Sequence, residues 1–215
     1  TLDHVGPMTR DVRDAALILA AISGFDENDL TTISAISPNF DDIENTNLDG
    51  VTIGYSENYS EDGVDKEIVK ATRNVLKILK YHGATVRNIE LDDIDSFLPA
   101  WKTICSAEAL NAHSSFYPER ESEYGLWFKG WLEHGSSVSS QEYIDASRQR
   151  ALCNGKVRKS FIGIDAMISP TVIRPPHYVD DAINYGPMDD RRGTSFQRFT
   201  VPFDYNGYPT VSVPS

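Results

Sequence analysis

Apolar residues recur at helical spacing at Val12, Ala15, Ala16, Leu19 and Ile22, and Gly24 follows them. That stripe predicts an amphipathic helix, approached through an extended segment and a rigid Gly6-Pro7 turn. Thr9 offers a hydroxyl as N-cap, with Asp11 and Asp14 near the positive end of the helix dipole. Residues 25–49 lose the periodicity and turn acidic, which predicts a surface excursion. Val51-Thr52-Ile53-Gly54-Tyr55 reads as a short buried strand, with residues 58–65 as the loop behind it. A second stripe, Ile68, Val69, Thr72, Val75, Leu76 and Leu79, predicts a helix over 66–82 that Gly83 ends. Residues 84–91 are β-rich, so strand, helix and strand imply a right-handed crossover between two parallel strands.

The pattern then changes. Residues 97–161 read as helical, with breaks at Tyr117-Pro118, Gly125 and Gly135. They carry a belt of aromatics: Phe97, Trp101, Phe116, Tyr117, Tyr124, Trp127, Phe128, Trp131 and Tyr143. The rings either fill the core between helices and sheet or, for a subset, line a ligand pocket. Ser139 and Glu142 have capping-box spacing ahead of a further helix. Residues 166–169 read as a return strand closed by Pro170, 172–192 as a long loop, and 210–213 as a final strand after a helix-like turn near Phe196. The predicted class is α/β: a mixed, partly parallel sheet flanked by helices, with a helical, aromatic-rich excursion. Within one domain the sections are 1–95, 96–162 and 163–215.

Charge narrows the partners. Twenty basic against 32 acidic residues leave a net −12 over 215 residues, which argues against a nucleic-acid surface and against anionic membranes. Cys105 and Cys153 are expected as thiols without a disulfide. The opening polar turn is unlike a secretory leader, and the longest apolar run, 15–22, is too short to cross a bilayer. A reducing cytoplasm is therefore expected. The five histidines never occur at ligand spacing, so no metal site and no cofactor are predicted. Asp92, Asp93 and Asp95 are adjacent rather than alternating, and are expected to cap the next helix. The Gly135–Ser140 serine cluster is expected to open a helix, and Asp189–Arg192 to form a surface ion network.

Several segments together resemble the amidase signature family, which includes the A subunit of glutamyl-tRNA amidotransferase. They are Thr1-Leu2-Asp3-His4-Val5-Gly6-Pro7-Met8-Thr9-Arg10, Asp14-Ala15-Ala16-Leu17, 48–55, Gly83-Ala84-Thr85-Val86 and Ser106-Ala107-Glu108-Ala109. Further on come 165–171, Phe199-Thr200-Val201-Pro202-Phe203, Gly207-Tyr208-Pro209 and Ser212-Val213-Pro214. The resemblance implies part of an α/β/α sandwich and cleavage of a carboxamide C–N bond by a serine, a second serine across a cis peptide bond, and a lysine. In the family's order those three groups precede Thr1, so no catalytic residue is assigned to this chain and the segment alone is expected to be inactive.

The implied ligand is a small-molecule amide, and the implied protein partner is the remainder of an amidase chain or another copy that completes the sheet. The resemblance points to Trp101, Gln197, Phe199 and Thr200 as substrate-binding. Gln197 stands where the glutamine-using branch has an Asp for the substrate's ammonium, which favours a less polar amide. The alternatives are an amidotransferase A-type subunit using glutamine, or a non-catalytic α/β binding protein.

Overall fold

The structure is a computed structural model and describes residues 1–29, 32, 39–40, 43–176, 178, 180–187 and 197–215. Two compact units result: residues 3–47, and residues 48–215 together with Thr1 and Leu2.

In the smaller unit the first stripe forms α1 (Val12–Ile22). Its N-cap is Asp11, whose carboxylate accepts from the Arg13 N–H at 2.7 Å. Thr9, the expected cap, instead donates its hydroxyl to the Asp11 carbonyl. The cap falls on Asp11 because only its carboxylate lies within reach of an unsatisfied first-turn N–H.

The larger unit is built on a three-stranded parallel sheet in the order β2-β1-β3. Its strands are β1 (Thr52–Tyr55), β2 (Thr85–Asn88) and β3 (Ala166–Met167). Thr52 pairs with Thr85 on one side, and Ile53 with Ala166 on the other. Gly54 sits close at the centre, where a Cβ would press closer than 3.0 Å to the end of the Ile164 side chain and make it shift. The crossover from β1 to β2 is α3 (Lys66–Tyr81), capped by Asp65 and buried through Thr72 and Leu76. Gly83 closes it at a φ of +102°, a conformation that favours glycine.

The expected loop behind β1 is instead interrupted by a short helix, α2 (Glu57–Glu61). The Ser56 hydroxyl caps it, and Tyr59 and Ser60 are buried in it. Periodicity has nothing to register in an element of one turn.

The helical section comprises α4 (Leu98–Ala112), α5 (Leu126–Ser137) and α6 (Ser140–Ser160). Gly135 does not break α5, which runs on to Ser137. The Ser139–Glu142 capping box then opens α6. After β3 come α7 (Asp181–Tyr185) and α8 (Val201–Asn206). No strand forms over 210–213, where Val211 and Val213 are exposed. The turn expected near Phe196 and the Asp189–Arg192 cluster lie outside the described residues.

The acidic trio does not cap a helix. Asp93, at φ 57°, precedes a single 3-10 turn over 94–97 and makes no side-chain cap bond. Two of the side chains go to cations instead, Asp93 to Lys156 at 3.5 Å and Asp95 to Arg198 at 3.1 Å.

A small core of Ile53, Tyr55, Leu76 and Ala84 binds α3 to the sheet. The larger core joins Leu2, Tyr59, Leu91, Ile94 and Phe97 to residues of α4, α6 and α8. Among the described residues no helix is long and apolar enough to cross a membrane.

Candidate functional site

Residues 197–200 form a tight turn leading into α8. The Thr200 N–H donates to the Gln197 carbonyl at 3.1 Å, and the Thr200 hydroxyl approaches the same oxygen at 3.3 Å. Phe203 and Asp204 then donate to the Thr200 carbonyl at 3.0 Å each. Pro202 is tolerated because it stands in the first turn, where an N–H would have no intrahelical partner. Gly207, at φ 68°, closes the helix by donating to the Phe203 carbonyl.

Around this turn the backbone is fastened from several directions. The Tyr205 hydroxyl donates to the Phe97 carbonyl at 2.9 Å. The Tyr205 carbonyl receives Arg150 Nε at 2.9 Å and Asn154 Nδ2 at 3.0 Å, both from α6. Arg150 also reaches the Thr1 hydroxyl at 2.7 Å and carbonyl at 3.0 Å, so one guanidinium ties the beginning of the segment to the end of α8. Thr1 is held again from α4, where Glu108 accepts from its hydroxyl at 2.8 Å and from the Tyr143 hydroxyl at 3.0 Å.

The four residues predicted to bind substrate divide into two groups. Gln197 is half-buried and Thr200 exposed, so both side chains are available at the turn. Phe199, between them, is 5% exposed and packs edge-on against Tyr59, with ring centroids 5.1 Å apart. Trp101 lies on α4 and packs against the same large core, but its ring neighbour is Trp131, at 5.7 Å. Its indole nitrogen is buried without a hydrogen-bond partner among the described residues, and a buried donor of that kind is costly to leave unmet. The structure thus brings Gln197, Phe199 and Thr200 together and gives Trp101 a separate ring environment.

Six of the nine belt aromatics fall into two groups. Trp127 stacks on Trp131 at 5.3 Å, with Trp101 tilted against them. His113, Tyr117, Tyr124 and Phe128 make a second group, in which His113 Nδ1 lies 3.0 Å from the Tyr124 hydroxyl. Tyr143 belongs to neither. Burial, and then the Glu108 carboxylate, hold its phenol above the usual range.

A serine–histidine pair does occur. Ser106 Oγ lies 2.9 Å from His134 Nδ1. Ser106 is 0% exposed, so no substrate carbonyl reaches it, and the pair bolts α4 to α5. Sequence reading missed it because the partners stand on different helices at no motif spacing. Arg198 was missed for the same reason. It contacts residues from the segments following β1 and β2, and only its place inside the turn could have drawn attention to it.

Among the described residues there is no group of three or more His, Cys, Asp or Glu that could hold a metal ion. An open depression in the smaller unit, lined by Met8, Thr9, Arg10, Asp14, Leu17 and Ile18, contains none of the predicted site residues.

The amidase family profile matches residues 1–215 throughout. The chain belongs to the amidase family. It is similar to the A subunit of the glutamyl-tRNA(Gln) amidotransferase of Clostridium botulinum strain Eklund 17B, with 28% identity over all of this chain and 48% of the relative. It is 29% identical to an amidase of Pseudomonas putida, again over all of this chain and 46% of the relative. The fold matches the crystal structure of a bacterial aryl acylamidase of the amidase signature family with a TM-score of 0.75. That match has 21% identity and covers 94% of this chain and 44% of the other. The chain spans about half the length of the curated relatives it matches.

Proposed function

We propose that these residues wall the substrate chamber of a hydrolase that cleaves a carboxamide C–N bond, the reacting serines and lysine belonging to polypeptide outside the 215 residues. The observation that carries this reading is the Gln197–Thr200 turn, in a chain matched by the amidase family along its whole length. Gln197 and Thr200 present an amide and a hydroxyl that suit a carboxamide's own donor and acceptor pattern.

In this reading Gln197 sets the preference. A neutral amide gives an ammonium no charge-assisted partner, so the substrate is a less polar amide than glutamine. The remainder of an amidase chain, or a second copy, pairs with the outer edges of β2 and β3, because a sheet with open edges is a liability. The protein works in the cytoplasm, in keeping with its thiols.

A second reading, an amidotransferase component using glutamine as ammonia donor, is favoured by the similarity to the Clostridium botulinum protein. Ammonia release by the complete protein from benzamide, hexanamide and glutamine separates the two. The proposal expects kcat/KM to be highest for an apolar amide. Saturable glutamine hydrolysis exceeding both would replace it with the second reading, and no hydrolysis of any amide would leave a binding protein.

A further inference from the structure

Arg198 lies inside the turn, between Gln197 and Phe199, yet its side chain is only 13% exposed. Its guanidinium lies over two rings, 5.4 Å from the centroid of Tyr59 and 5.7 Å from that of Phe199. Nε is 3.1 Å from Asp95 Oδ1, an ion pair without hydrogen-bond alignment. Another guanidinium nitrogen donates to the Asp62 carbonyl. The backbone is held as well, since the Tyr59 hydroxyl donates to the Arg198 carbonyl at 2.5 Å. Burial pushes the Tyr59 phenol far above its ordinary range, with Arg198 pulling against the shift, so the phenol stays protonated and remains a donor.

Tyr59 and Asp62 follow the carboxyl end of β1, and Asp95 follows that of β2. The backbone after β3 joins them, because the Ile173 carbonyl accepts from the Asp65 N–H at 2.8 Å. Parallel sheets bind ligands outside the carboxyl ends of their strands. Arg198 therefore links the segments leaving two strands to the one turn whose Gln197 and Thr200 side chains are accessible.

We propose that Arg198 is a positioning residue for substrate binding. It fixes the backbone of the Gln197–Thr200 turn through Tyr59, Asp62 and Asp95, so that Gln197 and Thr200 meet the carboxamide in one geometry. The inference rests on the amidase reading above and assigns Arg198 no contact with substrate. A lysine at 198 keeps a charge for Asp95 but loses the planar fork that covers two rings and reaches a carbonyl at once. A phenylalanine at 59 keeps the ring and removes the hydrogen bond to the Arg198 carbonyl.

The test uses the complete protein with Arg198→Lys, Tyr59→Phe and, as control, Arg120→Lys in the exposed pair with Glu123. Hydrogen exchange at the Thr200, Phe203 and Asp204 amides is expected to quicken about tenfold in the first two variants, the size of one lost hydrogen bond or stacking contact. KM for an apolar carboxamide should rise by a similar factor of about ten with kcat little changed, as loss of uniform binding requires. The control should match the parent on both measures. Exchange and KM at parental values in both variants would overturn the proposal, whether or not the melting temperature falls. Should Arg198→Lys fail to fold, Tyr59→Phe alone decides. If the parent hydrolyses no carboxamide, the amidase reading falls while the exchange measurement still judges whether Arg198 holds the turn.

Discussion

Gly135 lets α5 lie directly on the Ser106 carbonyl of α4. A Cβ at that position would press closer than 3.0 Å to the Ser106 carbonyl oxygen and carbon, both of them backbone atoms that cannot swing aside. The same approach brings His134 within hydrogen-bonding distance of Ser106. A glycine that sequence alone suggests as a break is thus the point of closest helix contact.

Gly135→Ala should destabilise the protein by about 1–3 kcal/mol, as overpacking does, despite the better helix propensity of alanine. Ser136→Ala, on the exposed side of the same turn, should change stability by less than about 0.5 kcal/mol. Urea unfolding of both variants measures the difference. An alanine at 135 that leaves the midpoint unchanged would mean that α4 and α5 stand further apart.

The Glu61 carboxyl is held below its ordinary value of 4.5 by hydrogen bonds from Arg73, against a smaller opposing effect of burial and with help from the Tyr55 hydroxyl. Its folded-state proton affinity is therefore lower than that of the unfolded chain. The resulting stabilisation is complete above the unfolded value and fades as pH falls through the lower folded one. Parent and Glu61→Gln should accordingly differ most in stability near neutrality and converge in acid. A difference that stays constant as the pH is lowered would show that Glu61 is not linked to folding through this proton.

Cys153 is 0% exposed, and burial pushes its thiol up to about 11. Cys105 is only partly buried. Since the thiolate is the reactive form, iodoacetamide should label Cys105 first and reach Cys153 only on unfolding. Peptide mass spectrometry reads the order. Equal labelling of both in the native protein would contradict the packing of α6.

Local pattern carried much of the fold. The stripes of α1 and α3, the Gly83 stop and the Ser139–Glu142 capping box all lie within a few residues of their causes, and each forms where its spacing places it. Three helices escaped because their signals are short, among them α7, five residues inside the expected loop over 172–192. In α2 one buried turn depends on Tyr59 finding the core. In α8 Pro202 reads as a break unless Thr200 before it and Gly207 after it are taken as the two ends of a helix. The candidate site was legible only through family resemblance, which pointed to Gln197 and Thr200. What fastens them was not, because Arg198 is held by Tyr59, Asp62 and Asp95, more than a hundred residues away in sequence. No periodicity connects such partners.

On the proposed function, these residues shape and hold the chamber while the bond-breaking groups come from elsewhere in the polypeptide. Ammonia release from an apolar carboxamide, measured in parallel for the 215 residues alone and for the complete protein, tests it most directly. Turnover is expected from the complete protein, at an ordinary enzyme's rate of about 1–1,000 per second, and none above background from the 215 residues. Enzyme-like turnover by the 215 residues alone would contradict that expectation.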